Sequence, residues 1–500
     1  TRKTTTLTRC TIRNCRARLG AAIMISSGAN KPDDSAVRVV DSFITQCVSG
    51  GNSTASANNV GGAIRTYGSV TSNLYLTGVT MSYNYAMRES NESNNTLVHD
   101  GNGGALFWNG RGHEDTACYI ESCVFENNRS DDNGGAIKAQ GSILFVKGQP
   151  GSGRPEKTVI RGNQAPVGAG LYIEGYTGGV NLSGSRGIDY DLSNLVITDN
   201  VAPSYMYGGV ENPGKGAGVH FYFGKEMTLE QNSTINVNMK GAEISGNKTA
   251  GNGGLGGGIY VENNAPAAKN YTINVNLNYG KVNDNVSTGN GGGIYILNEN
   301  VTSQQTGGEV LEIKGNTSLY SGGGMHIEGG GFDMTGGMIC SNAVTADDGV
   351  GAGVYINGGS LELNEGSISE NKSASHGGGA YVAGGGNFTM SGGEMNRNNA
   401  SGNGGGVFLD GGDFEVSDGI ISANISKAGG GGAYIAGGGN FTMSGGSMSG
   451  NYTESNGGGA FLDSGELKVT DGSINDNEAD LNGGGICILN GAVDMGSGLI

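Results

Sequence analysis

Apolar and polar residues alternate along this chain in runs of only three or four, and glycine or asparagine interrupts each run before it can lengthen. Runs such as Ala380-Tyr-Val-Ala383, Phe388-Thr-Met390 and Glu394-Met-Asn396 have the period of two of half-buried strands. They predict that Ala380, Val382, Phe388, Met390 and Met395 point inward and that Tyr381, Thr389 and Asn396 point out. Blocks carrying this pattern from Gly377, Gly404 and Gly430 align at a period of 26 or 27 residues, with three short strands expected in each.

Two marks define the unit. The first is an apolar residue followed three positions later by asparagine, and it recurs 15 times from Ile12/Cys15 and Ile44/Cys47 to Ile474/Asn477. Asn342, Asn371, Asn398, Asn424, Asn451 and Asn477 are its most regular members, while Cys15 and Cys47 take the asparagine position in the first two units. The second is a small-residue triplet before an apolar strand, as in Gly61-Gly-Ala-Ile64 and Gly483-Gly-Gly-Ile486. A unit this small cannot bury an apolar face alone, but stacking on its copies builds a continuous core and pairs the backbone from coil to coil. The expected fold is therefore all-β, a parallel β-helix of about 15 coils in the manner of pectin-lyase-like solenoids.

Stacking gives each column a task. Amides one coil apart can hydrogen-bond along the axis, and asparagine tolerates left-handed turns, so the asparagines are read as a structural ladder. Cys15 and Cys47 would be neighbours in it, either as a disulfide or as two buried thiols. Spacing between the marks is 26 to 31 residues over the last seven intervals and reaches 47 earlier. Residues 1–500 thus read as one continuous β-helix, with irregular coils and longer loops over 1–255 and regular coils of about 26–35 residues over 256–500. The main insertions are Tyr85–His99, Gly148–Lys157, Gly175–Ser193, Ala202–Lys215 and Phe223–Asn236, where function on repeat proteins tends to reside.

Composition narrows the classes. With 99 glycines but 7 prolines and no G-X-Y period the chain is not collagen, and a glycine cost of about 0.8–1 kcal/mol per helical position disfavours helices. A net charge of −17 argues against a nucleic-acid partner. No run of apolar residues reaches membrane-span length, and the start at Thr1 and the stop at Ile500 read as those of a segment of a longer array.

The pairing of GGA[ILV] with [FI]xxN, seen as Phe125-Glu-Asn-Asn128 followed by Gly134-Gly-Ala-Ile137, resembles the repeat of chlamydial polymorphic outer-membrane proteins. The resemblance implies a surface-displayed right-handed β-helix that mediates adhesion. Most units depart from it, with Ile or Met in place of Phe and GGG in place of GGA.

Candidate chemistry is sparse. Asp33-Asp34, Asp131-Asp132 and Asp347-Asp348 lie in turn-like sequence without a basic partner at strand spacing, and no pair among the five histidines has metal-ligand spacing. No catalytic residue, metal or cofactor is assigned. The sharper feature is the outward position two after the triplet, which reads Tyr172, His220, Tyr260, Tyr295, His326, Tyr355, Tyr381, Phe408, Tyr434 and Phe461. Such a stripe marks either an interaction surface or rings that simply stabilise the sheet. Among 17 Asn-x-Ser/Thr triplets, Asn232, Asn270, Asn387 and Asn440 are candidate glycosylation sites, whereas those at Asn128, Asn247, Asn285, Asn371, Asn424 and Asn451 fall in the ladder column. An asparagine cannot be both buried in a ladder and glycosylated.

The expected function is that of a non-enzymatic extracellular repeat protein. It would be a structural rod or adhesive segment of a larger cell-surface or filament protein, associating laterally with itself or other surface chains, with glycans as further partners. The alternatives are a polysaccharide lyase or hydrolase with its site on the N-terminal loops, and a carbohydrate- or receptor-binding adhesin.

Overall fold

The computed structural model describes residues 4–26, 36–50, 60–67, 72–87, 89–91, 96–99, 101–110, 116–149, 151–175, 188–207, 209–224, 234–265, 272–303 and 309–496. Among these residues every regular element is a strand. The chain forms two compact units, an N-terminal one of Thr1–Asn252 with Gly258–Asn276 and a C-terminal one of Gly253–Gly257 with Leu277–Ile500.

Each unit is a parallel β-helix. A regular coil of the C-terminal unit has four strands, Ala380–Ala383, Asn387–Met390, Glu394–Asn396 and Asn399–Ala400. Each pairs in register with its equivalent one coil on, Tyr381 opposite Phe408, Phe388 opposite Phe414, Met395 opposite Ile421 and Asn399 opposite Ile425. The fourth strand, missed in the sequence, has two residues and so displays no period. The strand carrying the first mark recurs seven times in the N-terminal unit, from Thr11–Arg13 to Ala242–Ser245, and eight times in the C-terminal unit, from Gly280–Asn283 to Ser473–Asn475. Its apolar residue is core in every coil but the first, where Ile12 is half-buried; Phe125, Ile160, Ile368, Met395 and Ile421 are fully buried. Among the described residues, two pairs of strands are antiparallel, both hairpins within insertions, Glu89–Asn91 with Thr96–His99 and Tyr205–Tyr207 with Val210–Asn212.

The asparagine column is a buried amide ladder. Asn398 Nδ2 donates to Asn424 Oδ1 at 3.0 Å and to the Ile368 carbonyl at 2.9 Å, and the backbone N–H of Asn398 donates to the same Oδ1 at 3.0 Å. Each amide oxygen thus accepts two bonds from the preceding coil and each amide nitrogen spends both protons. The pattern runs from Asn84 to Asn247 in one unit and from Asn285 to Asn477 in the other. In all 15 coils the residue just before the ladder position has positive φ, from Asn14 and Gln46 to Arg397, Ala423 and Asp476. The left-handed residue is therefore the neighbour of the asparagine, which corrects the reading that asparagine itself takes that conformation. Eleven of these residues are not glycine, at about 1–2 kcal/mol each, a cost offset by the ladder that the turn allows.

The two sequence marks meet across the coil. A Cβ on Gly379, the third residue of its triplet, would lie 3.0 Å from Asn398 Nδ2 and 2.7 Å from the Gly406 carbonyl oxygen, and Gly353 faces Asn371 in the same way. In the N-terminal unit Ala63, Ala105 and Ala136 fill the position, all fully buried.

Asn398→Ala would leave two donors of Asn371 and the Ile368 carbonyl without partners, so a loss of about 3 kcal/mol or more is expected from denaturant unfolding. Gly379→Ala should destabilise as well. Gly450→Asn, at an equally left-handed position (φ 63°) where a Cβ meets nothing within 4 Å, should change stability little.

Candidate functional site

The ring column is set by the triplet. In the coil that starts at Gly377 the first glycine has φ 64°, and the chain folds so closely over the next strand that a Cβ there would sit 3.0 Å from Tyr381 Cβ. The ring residue points away from the core but lies against this turn. Parallel strands place equivalent residues one strand spacing apart, about 4.8 Å, which suits stacked rings. In the C-terminal unit seven stack in order: Tyr295 on His326 at 4.4 Å, His326 on Tyr355 at 4.7 Å, Tyr355 on Tyr381 at 5.4 Å, then Phe408, Tyr434 and Phe461 at 5.0 Å steps.

The stripe is more closed than the sequence suggested. Tyr260, Tyr295, Phe408 and Phe461 are all less than a tenth exposed, and Tyr355, Tyr381 and Tyr434 are half-buried. Each face is covered by the next ring, so what reaches solvent is edges and hydroxyls, which excludes a flat sugar platform along the stack. The hydroxyls are engaged, Tyr381 donating to Asp410 Oδ2 at 2.8 Å and Tyr295 to Glu328. Burial, and then the bond to Asp410, push the Tyr381 phenol well above its ordinary range.

In the N-terminal unit the same column mixes rings with cations. Arg65 and Lys138 both approach the Phe107 ring, at 5.3 and 5.7 Å, and Lys138 lies 5.1 Å from Tyr172 while bridging to Glu174 at 3.1 Å. His220 follows, 5.3 Å from Tyr172 and 4.6 Å from Tyr260. Arg65, Phe107 and Lys138 also stand two residues after a triplet and extend the column to coils before Tyr172, where the stripe read from the sequence begins. His220 Nε2 is 3.3 Å from Glu262 Oε2, with Lys215 Nζ at 3.5 Å from the same oxygen. Burial lowers the His220 pKa; burial also pushes Glu262 up, but the adjacent His220 ring and the Lys215 charge outweigh it and bring the carboxyl down to about 2.

The remaining candidates are dispersed. Asp131 has a basic partner after all, Arg129 at 3.2 Å from the adjoining two-residue strand, and it also accepts from the Tyr85 hydroxyl at 2.6 Å. Asp33, Asp34 and His113 lie outside the described residues. His376 accepts from the Asn403 backbone N–H at 3.0 Å and stacks on Phe408 at 4.8 Å. Cys15 and Cys47 are thiols, each directed at the carbonyl two residues before it. Of the glycosylation candidates, Asn387 and Asn440 are exposed, whereas Asn232 and Asn270 lie outside the described residues. The ladder asparagines that carry the triplet, Asn316 among them, are buried, and Asn316 and Asn371 have both amide protons committed to the ladder.

These features define a parallel β-helix repeat protein whose coils are joined by amide and ring columns. Residues 122–140 match the Chlamydia polymorphic membrane protein repeat. The matched stretch holds core Phe125, ladder Asn128 and the turn glycine Gly134, so the likeness read from Phe125-Glu-Asn-Asn128 and Gly134-Gly-Ala-Ile137 is borne out there, and the motif corresponds to one rung of the ladder with its turn. Comparison with curated proteins and with solved structures gives no match.

Phe408→Ala, which opens a gap in the stack, should cost about 3–5 kcal/mol in denaturant unfolding. Burial depresses the His326 pKa to about 3, against about 6.5 in an unfolded chain. The unfolded state then binds the extra proton, so this residue's contribution to stability is full above pH 6.5 and is lost as pH falls toward 3. Thermal unfolding across that window should show a fall in Tm with acidity that is smaller in His326→Tyr.

Proposed function

We propose that this chain is a non-enzymatic segment of a cell-surface protein, structural or adhesive, which acts through contacts along the outer faces of its coils. The observation that carries this reading is how the chemistry-bearing side chains are used. His220, His376, Tyr172 and Tyr381, whose titration is shifted by burial, are held against other rings of the columns. The match to a membrane-protein repeat supports display at a surface. Free contact positions on the outer faces include Ile420 and Ile425, which are about two-fifths exposed, and Asn387 and Asn440, where attached glycan would change the surface.

The polysaccharide-enzyme reading has less support. A cavity of about 270 Å³ in the N-terminal unit holds Arg129, Gln164, Ser204 and Tyr205 but a single carboxylate, Asp131, already bonded to Arg129 and Tyr85. Glycoside hydrolysis requires two carboxyl groups facing one another.

The test is to incubate the protein with polygalacturonate and alginate while following reducing ends and ultraviolet absorbance, alongside sedimentation velocity of the protein alone. The proposal expects no new chain ends and concentration-dependent association. Release of oligosaccharides would overturn it.

A further inference from the structure

The net charge is segregated. Leu277–Ile500 holds 6 Lys or Arg against 24 Asp or Glu, a net −18, whereas the whole chain is −17. The N-terminal unit is close to neutral, and its first described stretch, Thr4–Ser26, contains Arg9, Arg13, Arg16 and Arg18 with no acidic residue. Arg9, Arg13 and Arg16 are exposed.

Within the acidic unit a cavity of about 360 Å³ opens beside the ring stack between the turn before the triplet and the ring-bearing strand. Its walls include Tyr320, His326, Glu328, Asp348, Tyr355 and Asn357, and no lysine or arginine. The hydrogen bonds fix what it offers. Ser321 Oγ donates its one proton to Asn290 Oδ1 at 2.8 Å, so the 2.8 Å contact between Ser321 Oγ and His326 Nδ1 carries a histidine proton. Nε2 of neutral His326 is then a lone-pair acceptor on a side chain 6% exposed, 4.0 Å from Glu328 Oε2 and beyond hydrogen-bond reach of it. Glu328 accepts from the Tyr295 hydroxyl and lines the cavity, and Asp348 is exposed with no hydrogen bond or ion pair among the described residues.

Three acceptors and two negative charges therefore converge, beside the half-exposed ring of Tyr320. A guanidinium or alkylammonium group supplies donors only, carries the compensating charge and packs against aromatic rings. Uronic or sulfated sugars would be repelled, and a neutral sugar would leave both charges uncompensated. We infer that this cavity binds a guanidinium-type cation, and that its occupant is an arginine of the acid-free stretch Thr4–Ser26 in a second copy of the chain. This rests on the lateral-association reading above for the occupant, but not for the pocket.

Two experiments on the full chain separate these claims. Calorimetric titration with agmatine should show binding that weakens at least tenfold in Glu328→Gln/Asp348→Asn and also in Asp348→Asn alone, a change in an exposed turn that leaves folding intact. Galactose and glucuronate should not bind. Absence of agmatine binding, binding unchanged in both variants, or equal binding of galactose overturns the pocket. In sedimentation velocity, association should weaken with added salt and in Arg9→Gln/Arg13→Gln/Arg16→Gln. If agmatine binds while association is insensitive to both, the second-copy occupant is overturned and the ligand is a free organic cation.

Discussion

The structure depends on a buried amide facing a residue with little or no side chain. Two amide protons and one amide oxygen per coil must find partners in a dry interior, and they do so only if every coil presents its asparagine at the same height and depth. That requirement fixes the register of three consecutive coils at a time, because each Nδ2 reaches forward to the next amide and back to the previous coil's carbonyl. It also explains the triplet, since a larger residue at Gly353, Gly379 or Gly406 would displace the ladder amide. The left-handed residue before each asparagine completes the device by turning the chain while the side chain stays inside.

Once the register is fixed, the outer columns follow. Equivalent positions fall one strand spacing apart, so any ring placed after the triplet meets another ring, and any cation there meets a ring or a carboxylate. The Tyr295-to-Phe461 stack and the Arg65–Phe107–Lys138–Tyr172 series are two solutions of the same geometry, one apolar and one ionic. A stacked column consumes its own faces. It adds stability and leaves recognition to the positions beside it, such as the cavity where His326 interrupts the tyrosines.

Much of this was legible in the sequence because the fold repeats its reasons. A ladder needs asparagine in every coil and a close approach needs glycine or alanine, so both marks survive where loop lengths change, and counting them locates every coil. The two-residue strand such as Asn399–Ala400 was not legible, being shorter than one period. Nor was the closure of the ring stripe: alternation places Tyr381 outside the core, but only the fold of the turn at Gly377 shows how little of it meets solvent. The cavity beside His326 was hidden for a related reason, since Asp348 comes from an irregular turn one coil beyond Ser321, His326 and Glu328, and no spacing rule connects it to them.

The most direct measurement is glycan mapping by mass spectrometry on folded protein secreted from a glycosylating host. Asn387 and Asn440, exposed, should carry glycan, while Asn285, Asn316, Asn371, Asn424 and Asn451 should be bare because their amide protons are committed to the ladder. Glycan on any of these ladder asparagines in folded material would contradict the account.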